Sequence, residues 1–262
     1  GHPWDYDHWG ALGNDGWSWQ DVLPYFRKSE HNENFNGEYH GQGGPLNVAH
    51  LRSMNPFQEI YREAARQTGF KLIDDFNGAD QEGIGIYQVM QKNGERWNAA
   101  RAYLTPHLAS RPNLTVLTRA RARRVLFAGR RASGIEFEQG GEVRTFHAKR
   151  EVILAAGAIQ SPQLLMLSGV GAGAELRQFG IPVVHELPGV GKNLQDHPDY
   201  VFNYRAKSLD LLGISLGGGL QMMKEIGRYR RERTGMMTSN GAEGGGFLRR
   251  FPDSPAPDFQ LH

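Results

Sequence analysis

Apolar residues at helical spacing predict an amphipathic helix after Asn55. Asn55 is a favoured N-cap residue, Pro56 suits the first helical position, and Gly69 marks the end of the segment. The positions predicted to share the apolar face are Phe57, Ile60, Tyr61, Ala64 and Ala65.

Two further helices are predicted from the same kind of spacing. Residues 97–104 are rich in alanine, and the Thr105-Pro106 pair is expected to end that helix. Residues 220–231 form the other helix, with an apolar stripe of Leu220, Met223, Ile226 and Tyr229.

Between residues 113 and 156 the apolar period changes to two, which is typical of strands. Short runs separated by glycines predict an antiparallel meander, with strands at 114–117, 122–127, 135–138 and 142–146. Residues 151–156 form a further apolar strand candidate, followed by Gly157 and a helix over 163–167 with Ser161 as its cap. The order of strand, glycine and helix is that of a ligand-contacting edge in an α/β sheet.

The first thirty residues hold four of the five tryptophans, namely Trp4, Trp9, Trp17 and Trp19. Large rings are seldom left in water, so we expect an irregular segment that covers a neighbouring surface. The chain begins at Gly1 without an initiator methionine and stops inside a strand-like run at 257–262. We therefore expect it to be an internal piece of a longer protein.

Composition excludes several classes of protein. With 39% apolar and 22% charged residues the chain is expected to be globular rather than disordered. A net charge of +2 gives no support to a nucleic-acid partner. The absence of cysteine rules out disulfides, iron–sulfur clusters and thiol catalysis, and no apolar run reaches the length of a membrane helix.

Three local patterns each have a structural and a functional interpretation. Residues 169–174 match the dinucleotide fingerprint in letters, but a helix precedes them, so a glycine-rich helix stop is favoured. His2, Asp5, Asp7 and His8 are metal-ligand types without a fixed spacing, and no metal site is expected. The arginines between 119 and 124 are expected to lie on a solvated sheet face.

The segment 220–233 is rich in cations, including Lys224, Arg228, Arg230, Arg231 and Arg233. A basic amphipathic helix can lie on anionic lipid, although such helices more often pack on their own protein. Both interpretations stay open at this point.

Residues 157–171, GAIQSPQLLMLSGVG, closely resemble the second signature of the FAD-dependent glucose–methanol–choline (GMC) oxidoreductases. Other segments also resemble family landmarks, and they occur along the chain in the family's order, at residues 5–9, 21–30, 39–41, 94–104 and 187–198. The resemblance covers essentially the whole chain. It is greatest with the bacterial choline dehydrogenase and aliphatic alcohol dehydrogenase branch, partly through residues 238–247.

The resemblance implies a mixed α/β fold, part of a Rossmann-like FAD-binding domain with an antiparallel meander. Residues 1–200 would be the middle portion of that domain with its covering segments, and residues 201–262 the incomplete start of a substrate-binding domain. The family's pyrophosphate loop and its catalytic histidine would lie outside residues 1–262, so no catalytic residue is expected within this chain.

The resemblance also implies residue roles. The cofactor-binding candidates are Ala122, Ala156, Gly157, Asn98 and Ala99, and the substrate-side candidates are Arg96 and Glu243. Small side chains at 156 and 157 would let the backbone approach a flat, phosphate-bearing ligand. Glu243 could neutralise a quaternary ammonium, or could simply be a polar residue of a glycine-rich loop. Asn193, Asp196 and His197 resemble a tight turn, for which a structural role is favoured over catalysis.

The implied function is FAD-dependent oxidation of a primary alcohol to an aldehyde, with an aliphatic alcohol favoured over choline. The alternatives are a non-catalytic nucleotide- or partner-binding module of the same fold and, less favoured, a nicotinamide enzyme. A small-molecule alcohol is the expected partner, the electron acceptor is left open, and no nucleic acid is expected. The expected location is cytoplasmic, with peripheral contact at the inner membrane through 220–233 as an open alternative.

Overall fold

The structure is a computed structural model that describes residues 1–204, 207–208, 210–211 and 215–262. The chain divides into two compact units. The first unit consists of Gly1–Leu114 and Tyr204–His262, and the second is Thr115–Asn203. The expected division of cofactor and substrate roles between residues 1–200 and 201–262 stays a prediction, and residues 205, 206, 209 and 212–214 of its second part lie outside the described residues.

The described residues contain six α-helices, four of them in the first unit. In chain order they are α1 Pro3–Ala11, α2 Trp19–Ser29, α3 Phe57–Gln67, α4 Gly157–Leu167, α5 Gly173–Gln178 and α6 Leu216–Glu232. Short irregular helices cover Ala100–Leu104, Thr105–His107 and Met236–Thr238.

Twelve strands are assigned within the same residues. They are β1 Glu30–Asn32, β2 Leu46–Val48, β3 Gly83–Ile86, β4 Gln91–Lys92, β5 Glu95–Arg96, β6 Ala120–Ala128, β7 Arg131–Gln139, β8 Glu142–His147, β9 Val170–Gly171, β10 His185–Glu186, β11 Gly244–Leu248 and β12 Phe259–Leu261.

The expectation of an irregular N-terminal segment is wrong, because two capped helices form there. His2 and Asp5 make a reciprocal capping box at α1, and Ser18 and Asp21 make another at α2. The tryptophan rings stay partly exposed and pack on each other. Trp9, 45% exposed, lies edge-on to Trp17 with ring centroids 5.8 Å apart.

Helix α3 confirms the prediction after Asn55. The Asn55 Oδ1 accepts a hydrogen bond from the Phe57 backbone N–H at 2.9 Å, and Gly69 follows the helix with a φ of +84°. Ala65 is buried, whereas Ile60 is 61% exposed, so the predicted apolar face is only partly covered.

The helix predicted over 97–104 begins later than expected and extends beyond its predicted end. Helical structure begins with a π-type turn at Ala100–Leu104 and continues past Thr105-Pro106 as a 3₁₀ turn. Proline is tolerated there because a first-turn N–H needs no helical partner.

Helix α6 confirms the helix predicted around 220–231, but the predicted stripe does not form one buried face. A spacing of three residues falls short of a full turn, so its members move backwards by about 60° at each step. Leu220 is 66% exposed and Met223 is 62% exposed, while Ile226 and Tyr229 are half-buried.

The core of the first unit lies around a three-stranded sheet of order β12-β11-β3, which is antiparallel throughout. Ile84 of β3 is 2% exposed. The rings of Phe76, Tyr87 and Phe247 cluster with centroids 4.8 to 6.4 Å apart. Strand β12 confirms the strand-like pattern at the end of the chain.

The second unit is built on the predicted antiparallel meander, with the order β6-β7-β8. Val125 and Phe137 are buried in it, as is Leu164 of α4. The buried Ser168 links the two elements, because its Oγ accepts from the Val125 N–H at 2.8 Å and donates to the Leu164 carbonyl. Cross-strand ion pairs join Arg123 and Arg124 to Glu136, so these arginines line a charged, solvated sheet face.

Two of the predicted strands do not form: the structure describes both segments, and neither is a strand. Residues 114–117 and residues 151–156 have no regular secondary structure, and Ile153 is 77% exposed. A strand needs a hydrogen-bonded neighbour, and the apolar pattern alone does not supply one. Helix α4 begins at Gly157, so Ser161 is not its cap; the Ser161 Oγ instead accepts from the Ala156 N–H at 3.0 Å.

Candidate functional site

The edge formed by Ala155, Ala156 and Gly157 has the properties of a cofactor-contacting backbone. All three residues are exposed. Gly157 has a φ of +88° and no atom within 4 Å of the place where a Cβ would stand. Helix α4, which has 11 residues, starts here without a side-chain cap, so its first backbone N–H groups lack both an intrahelical partner and a capping side chain. Small residues, open space and uncapped N–H groups fit a flat, phosphate-bearing group such as FAD.

Ala122 lies where the meander is irregular. The β6–β7 register shifts between Ala122 and Arg124, so Arg123 is an extra residue at a β-bulge. Ala122 is exposed. A bulge interrupts the ladder and leaves backbone groups available to a ligand, which fits the role that the family resemblance implies for this strand.

The glycine-rich run at 169–174 ends one helix and starts another. Gly169 follows α4 with a φ of +87°, and its N–H bonds the Met166 carbonyl at 3.0 Å. The N–H of Gly173 at the start of α5 bonds the Glu186 Oε1 at 2.9 Å. A carboxylate of the protein therefore occupies the position that a phosphate would take, and the helix-stop interpretation is the one the geometry supports.

Asn98, Ala99 and Arg96 lie in the first unit. The Asn98 Oδ1 accepts from the Arg101 N–H at 3.0 Å, which anchors the π-type turn, and Ala99 is exposed. Arg96 belongs to β5 and is exposed. The carboxylate of its neighbour Glu95 accepts a hydrogen bond from Arg101, and this contact lowers the pKa of the Glu95 carboxyl.

Glu243 is almost fully buried, at 4% exposed. Its Oε2 accepts from the Asn55 N–H at 2.7 Å, and its carbonyl accepts from the Tyr87 N–H at 2.9 Å. The side chain thus joins β11 to the start of α3 across 188 residues of sequence. Burial raises the pKa of the neighbouring Tyr87. The Tyr87 hydroxyl donates to the Leu261 carbonyl at 2.6 Å.

A buried polar cluster surrounds His40, and no sequence pattern predicted it. The ring is 5% exposed; its Nε2 lies 2.8 Å from Asp75 Oδ2 and its Nδ1 lies 3.2 Å from Glu30 Oε2. Asn32, 2% exposed, contacts His40 Nδ1 at 3.1 Å and donates to Gln88 Oε1 at 2.9 Å. The family landmark at 39–41 contains this histidine, but no local pattern pointed to its partners.

A cavity of about 220 Å³ adjoins this cluster. Its lining combines His40 and Glu30 with apolar side chains such as Phe26, Leu46 and Phe76. The cluster holds together three chain segments, since β1, the loop at residue 40 and the loop at residue 75 all contribute to it.

The polar residues at the N-terminus hold local structure. The Nδ1 of His2 accepts from the Trp4 N–H at 3.2 Å, and the Asp7 Oδ1 accepts from the Trp19 N–H at 2.9 Å. The His8 ring stacks on Trp4 with centroids 5.0 Å apart. Each side chain therefore has a structural contact of its own.

The candidate residues fall into the two units. Ala122, Ala156 and Gly157 belong to the second unit. Asn98, Ala99, Arg96 and Glu243 belong to the first. The turn residues Asn193, Asp196 and His197 are exposed, and Asn193 adopts a φ of +56°.

Comparison with known proteins gives consistent relatives. The chain is 43% identical over its whole length to an alcohol dehydrogenase (acceptor) of Pseudomonas putida, of which it covers 48%. It is 40% identical, again over its whole length, to an oxygen-dependent choline dehydrogenase of Sinorhizobium fredii, of which it covers 47%. The chain thus spans about half the length of the curated relatives it matches.

Solved structures share the fold. An FAD-dependent oxidoreductase from Chaetomium thermophilum superposes with a TM-score of 0.80 at 30% identity, over 93% of this chain and 45% of that one. A formate oxidase of Aspergillus oryzae superposes with a TM-score of 0.83 at 29% identity, over 95% of this chain and 44% of that one. These neighbours confirm the mixed α/β class and FAD as the cofactor of the family.

The family model described as GMC oxidoreductase matches residues 1–199. That range includes the meander, the Gly157 edge and the glycine-rich run after α4. This chain belongs to the GMC oxidoreductase family.

Proposed function

We propose that this chain is part of an FAD-dependent enzyme that oxidises a primary alcohol to an aldehyde. The observation that carries the proposal is the match of residues 1–199 to the GMC oxidoreductases, with the family signature at 157–171 folded into an open backbone edge. Relatives at 40 to 43% identity are named alcohol and choline dehydrogenases.

FAD would contact the second unit through Gly157, Ala156 and the backbone at Ala122. The exposed N–H groups at the start of α4 would bind its anionic part, and the lack of a Cβ at Gly157 would let the backbone lie against it. When bound, FAD supplies the hydride acceptor for alcohol oxidation. Asn98 and Ala99 are the cofactor-binding candidates of the first unit, where Asn98 anchors the π-type turn.

The cofactor role is tested by titrating the chain with FAD and following the quenching of flavin fluorescence. Gly157→Val introduces a branched side chain at the open edge and is expected to weaken FAD binding at least tenfold (about 1.4 kcal/mol). Gly129→Val is the matched control, since Gly129 also has a positive φ, +61°, and open space around it. Both variants place a branched side chain at a positive φ, so equal FAD affinity in the two would contradict the proposed contact.

On the substrate side we propose an aliphatic alcohol, with choline as the second candidate through Glu243. Two observations support choline as a candidate. Some relatives are named choline dehydrogenases, and the chain has a buried carboxylate at Glu243. A carboxylate beside the substrate would stabilise a quaternary ammonium, but would give a neutral alcohol no comparable advantage.

The substitution Glu243→Gln distinguishes choline from an aliphatic alcohol as the substrate, in an active protein that contains this chain. Glutamine keeps an oxygen to accept from the Asn55 N–H and removes only the charge. Selective loss of choline turnover is expected if the carboxylate neutralises the substrate. Equal kcat/KM changes for choline and a neutral alcohol would assign Glu243 to structure alone.

A further inference from the structure

An open pocket of about 400 Å³ lies beside helices α1 and α2. Four of the seven residues that line it are aromatic, namely Tyr6, Trp17, Tyr25 and Phe26. Trp17 is 52% exposed and Tyr25 is 70% exposed, so their rings are accessible from solvent. We call this the aromatic pocket.

Neighbouring rings hold the lining of the aromatic pocket in place. The Tyr6 ring meets the Phe26 ring edge-on, with centroids 5.6 Å apart. Trp9 supports Trp17 in the same way, with centroids 5.8 Å apart. Edge-to-face contact is a preferred arrangement of aromatic pairs. A ligand that enters the pocket therefore meets a surface that is largely preformed, which reduces the entropy lost on binding.

The charge around the aromatic pocket is negative. The first 26 residues contain no lysine, arginine or glutamate but four aspartates, namely Asp5, Asp7, Asp15 and Asp21. Two of these aspartates flank Tyr6 in the sequence, and the other two directly precede Gly16 and Val22, which also line the pocket. Among the described residues none of the four forms an ion pair.

This negative charge acts on the lining of the pocket. Burial and the nearby charge of Asp5 together raise the pKa of the Tyr6 hydroxyl. The lining contains no carboxylate and no lysine or arginine, and its side chains offer only the hydroxyls of Tyr6, Tyr25 and Ser29 as hydrogen-bond acceptors. The aromatic pocket thus combines ring faces and negative potential with few acceptors.

We propose that the aromatic pocket binds a small organic cation with a quaternary ammonium group. The faces of the rings carry negative charge and attract such a cation, and the four aspartates add attraction over a longer range. A quaternary ammonium has no N–H group to satisfy, whereas a primary ammonium brings three donors that need acceptors. The aspartates would repel an anionic ligand.

The aromatic pocket is separate from the proposed substrate side, because Glu243 does not line it. The proposal therefore goes beyond alcohol oxidation and is tested without any turnover assay.

The test is isothermal titration calorimetry of the purified chain with tetramethylammonium chloride. tert-Butyl alcohol is the neutral probe of similar size and shape, and sodium chloride controls for ionic strength. We expect tetramethylammonium to bind at least about tenfold more tightly than tert-butyl alcohol, and its binding to weaken as salt is raised. Equal affinity for the two probes, or no saturable binding of tetramethylammonium, overturns the proposal.

Two ring substitutions locate the site. Trp17→Leu and Tyr25→Leu each keep an apolar side chain but remove an aromatic face, and each is expected to weaken tetramethylammonium binding about fivefold. Tyr200→Leu is the matched control, since Tyr200 is 79% exposed and belongs to the second unit. A loss in the control as large as in the pocket variants would show that the cation does not select this pocket.

A pair of charge substitutions tests the aspartates. Asp5→Asn with Asp21→Asn keeps an oxygen for each capping hydrogen bond and removes two charges. We expect tetramethylammonium to bind about threefold more weakly and tert-butyl alcohol to be unaffected. Asp199→Asn with Asp253→Asn makes the same change at exposed positions elsewhere and is expected to have no effect. Equal losses in the two pairs would contradict the role of the aspartates at this pocket.

Two further results would assign the observations to something else. If Glu243→Gln abolishes tetramethylammonium binding, the cation occupies the proposed substrate side, which overturns this proposal and leaves the proposed function intact. Self-association that Trp17→Leu abolishes, measured by sedimentation velocity without ligand, would assign the aromatic surface to a second copy of the chain and also overturn the proposal.

Discussion

The meander strands and the segment 151–156 carry equally good strand patterns, yet only the meander forms a sheet. Strand β7 is paired on both sides, by β6 and by β8. Residues 151–156 are also rich in apolar residues, but no described strand pairs with them and Ile153 is 77% exposed. Short turns bring the meander strands together, whereas residues 151–156 have no neighbouring strand close in sequence.

The difference shows that a strand pattern specifies a surface able to pair, while the pairing itself depends on a partner. Where the partner is a hairpin neighbour, the local sequence is sufficient. Where the sheet is parallel, the partner arrives through a long crossover, and local sequence is insufficient.

Amide hydrogen exchange should separate the two regions most strongly. Backbone amides of β7 at Ile135 and Phe137 are expected to exchange slower than those of Ile153 and Leu154 by a factor on the order of a thousand or more. The hydrogen bonds of the β7 amides break only when the meander unfolds. The amides of residues 152–155 make no backbone hydrogen bond in the described chain. Comparable protection in both regions, measured by NMR, would show that residues 151–156 have a partner in solution.

Removing the central ring of the meander should destabilise the chain. Phe137 is 5% exposed and stacks on Phe146 with centroids 5.0 Å apart. Phe137→Ala is expected to lower the free energy of unfolding by about 3–5 kcal/mol, measured by urea denaturation. Phe179→Ala is the control for the same substitution at a 79% exposed site, and its expected effect is within about 0.5 kcal/mol. Similar losses in both variants would contradict the assigned core.

The link between the meander and α4 should contribute less. Ser168→Ala removes the acceptor of the buried Val125 N–H, and we expect a loss of about 1–3 kcal/mol in the free energy of unfolding. Ser110→Ala, at an exposed site where the hydroxyl lies 3.5 Å from the His107 carbonyl, serves as the control and should change stability little. A stability of Ser168→Ala equal to that of the control would mean that the Val125 N–H finds another partner.

The smallest effect is expected in the unpaired segment itself. Ile153→Ala should change the free energy of unfolding by less than about 0.5 kcal/mol, because the side chain is already in water. The same substitution at the 2% exposed Ile84 should cost about 2–5 kcal/mol. A loss above about 1 kcal/mol at Ile153, by urea denaturation, would show that this segment packs on something.

Elements with local signals were predicted well. The cap and stop residues of α3 lie within the segment itself, and the meander follows from period-two runs joined by short turns. The two N-terminal helices were not predicted, because the many aromatic and glycine residues of this segment suggested irregular structure. The capping boxes that begin at His2 and Ser18 were a helix signal already present in the sequence.

The candidate site was predictable only in part. The signature at 157–171 pointed to the Gly157 edge, and the residue types there already suggested a close backbone approach. The His40 cluster was not predictable, because Asp75 lies 35 residues from His40 and no periodicity relates them.

Residue types and spacing within short segments were enough to specify the helix after Asn55, the meander and the family to which the chain belongs. The burial of Glu243 against the Asn55 N–H, the contact of Ser168 with Val125 and the outward face of α6 all depend on the folded chain. Periodicity acts through neighbours along one element, whereas burial and hydrogen bonds at these places need a partner surface from a distant part of the chain.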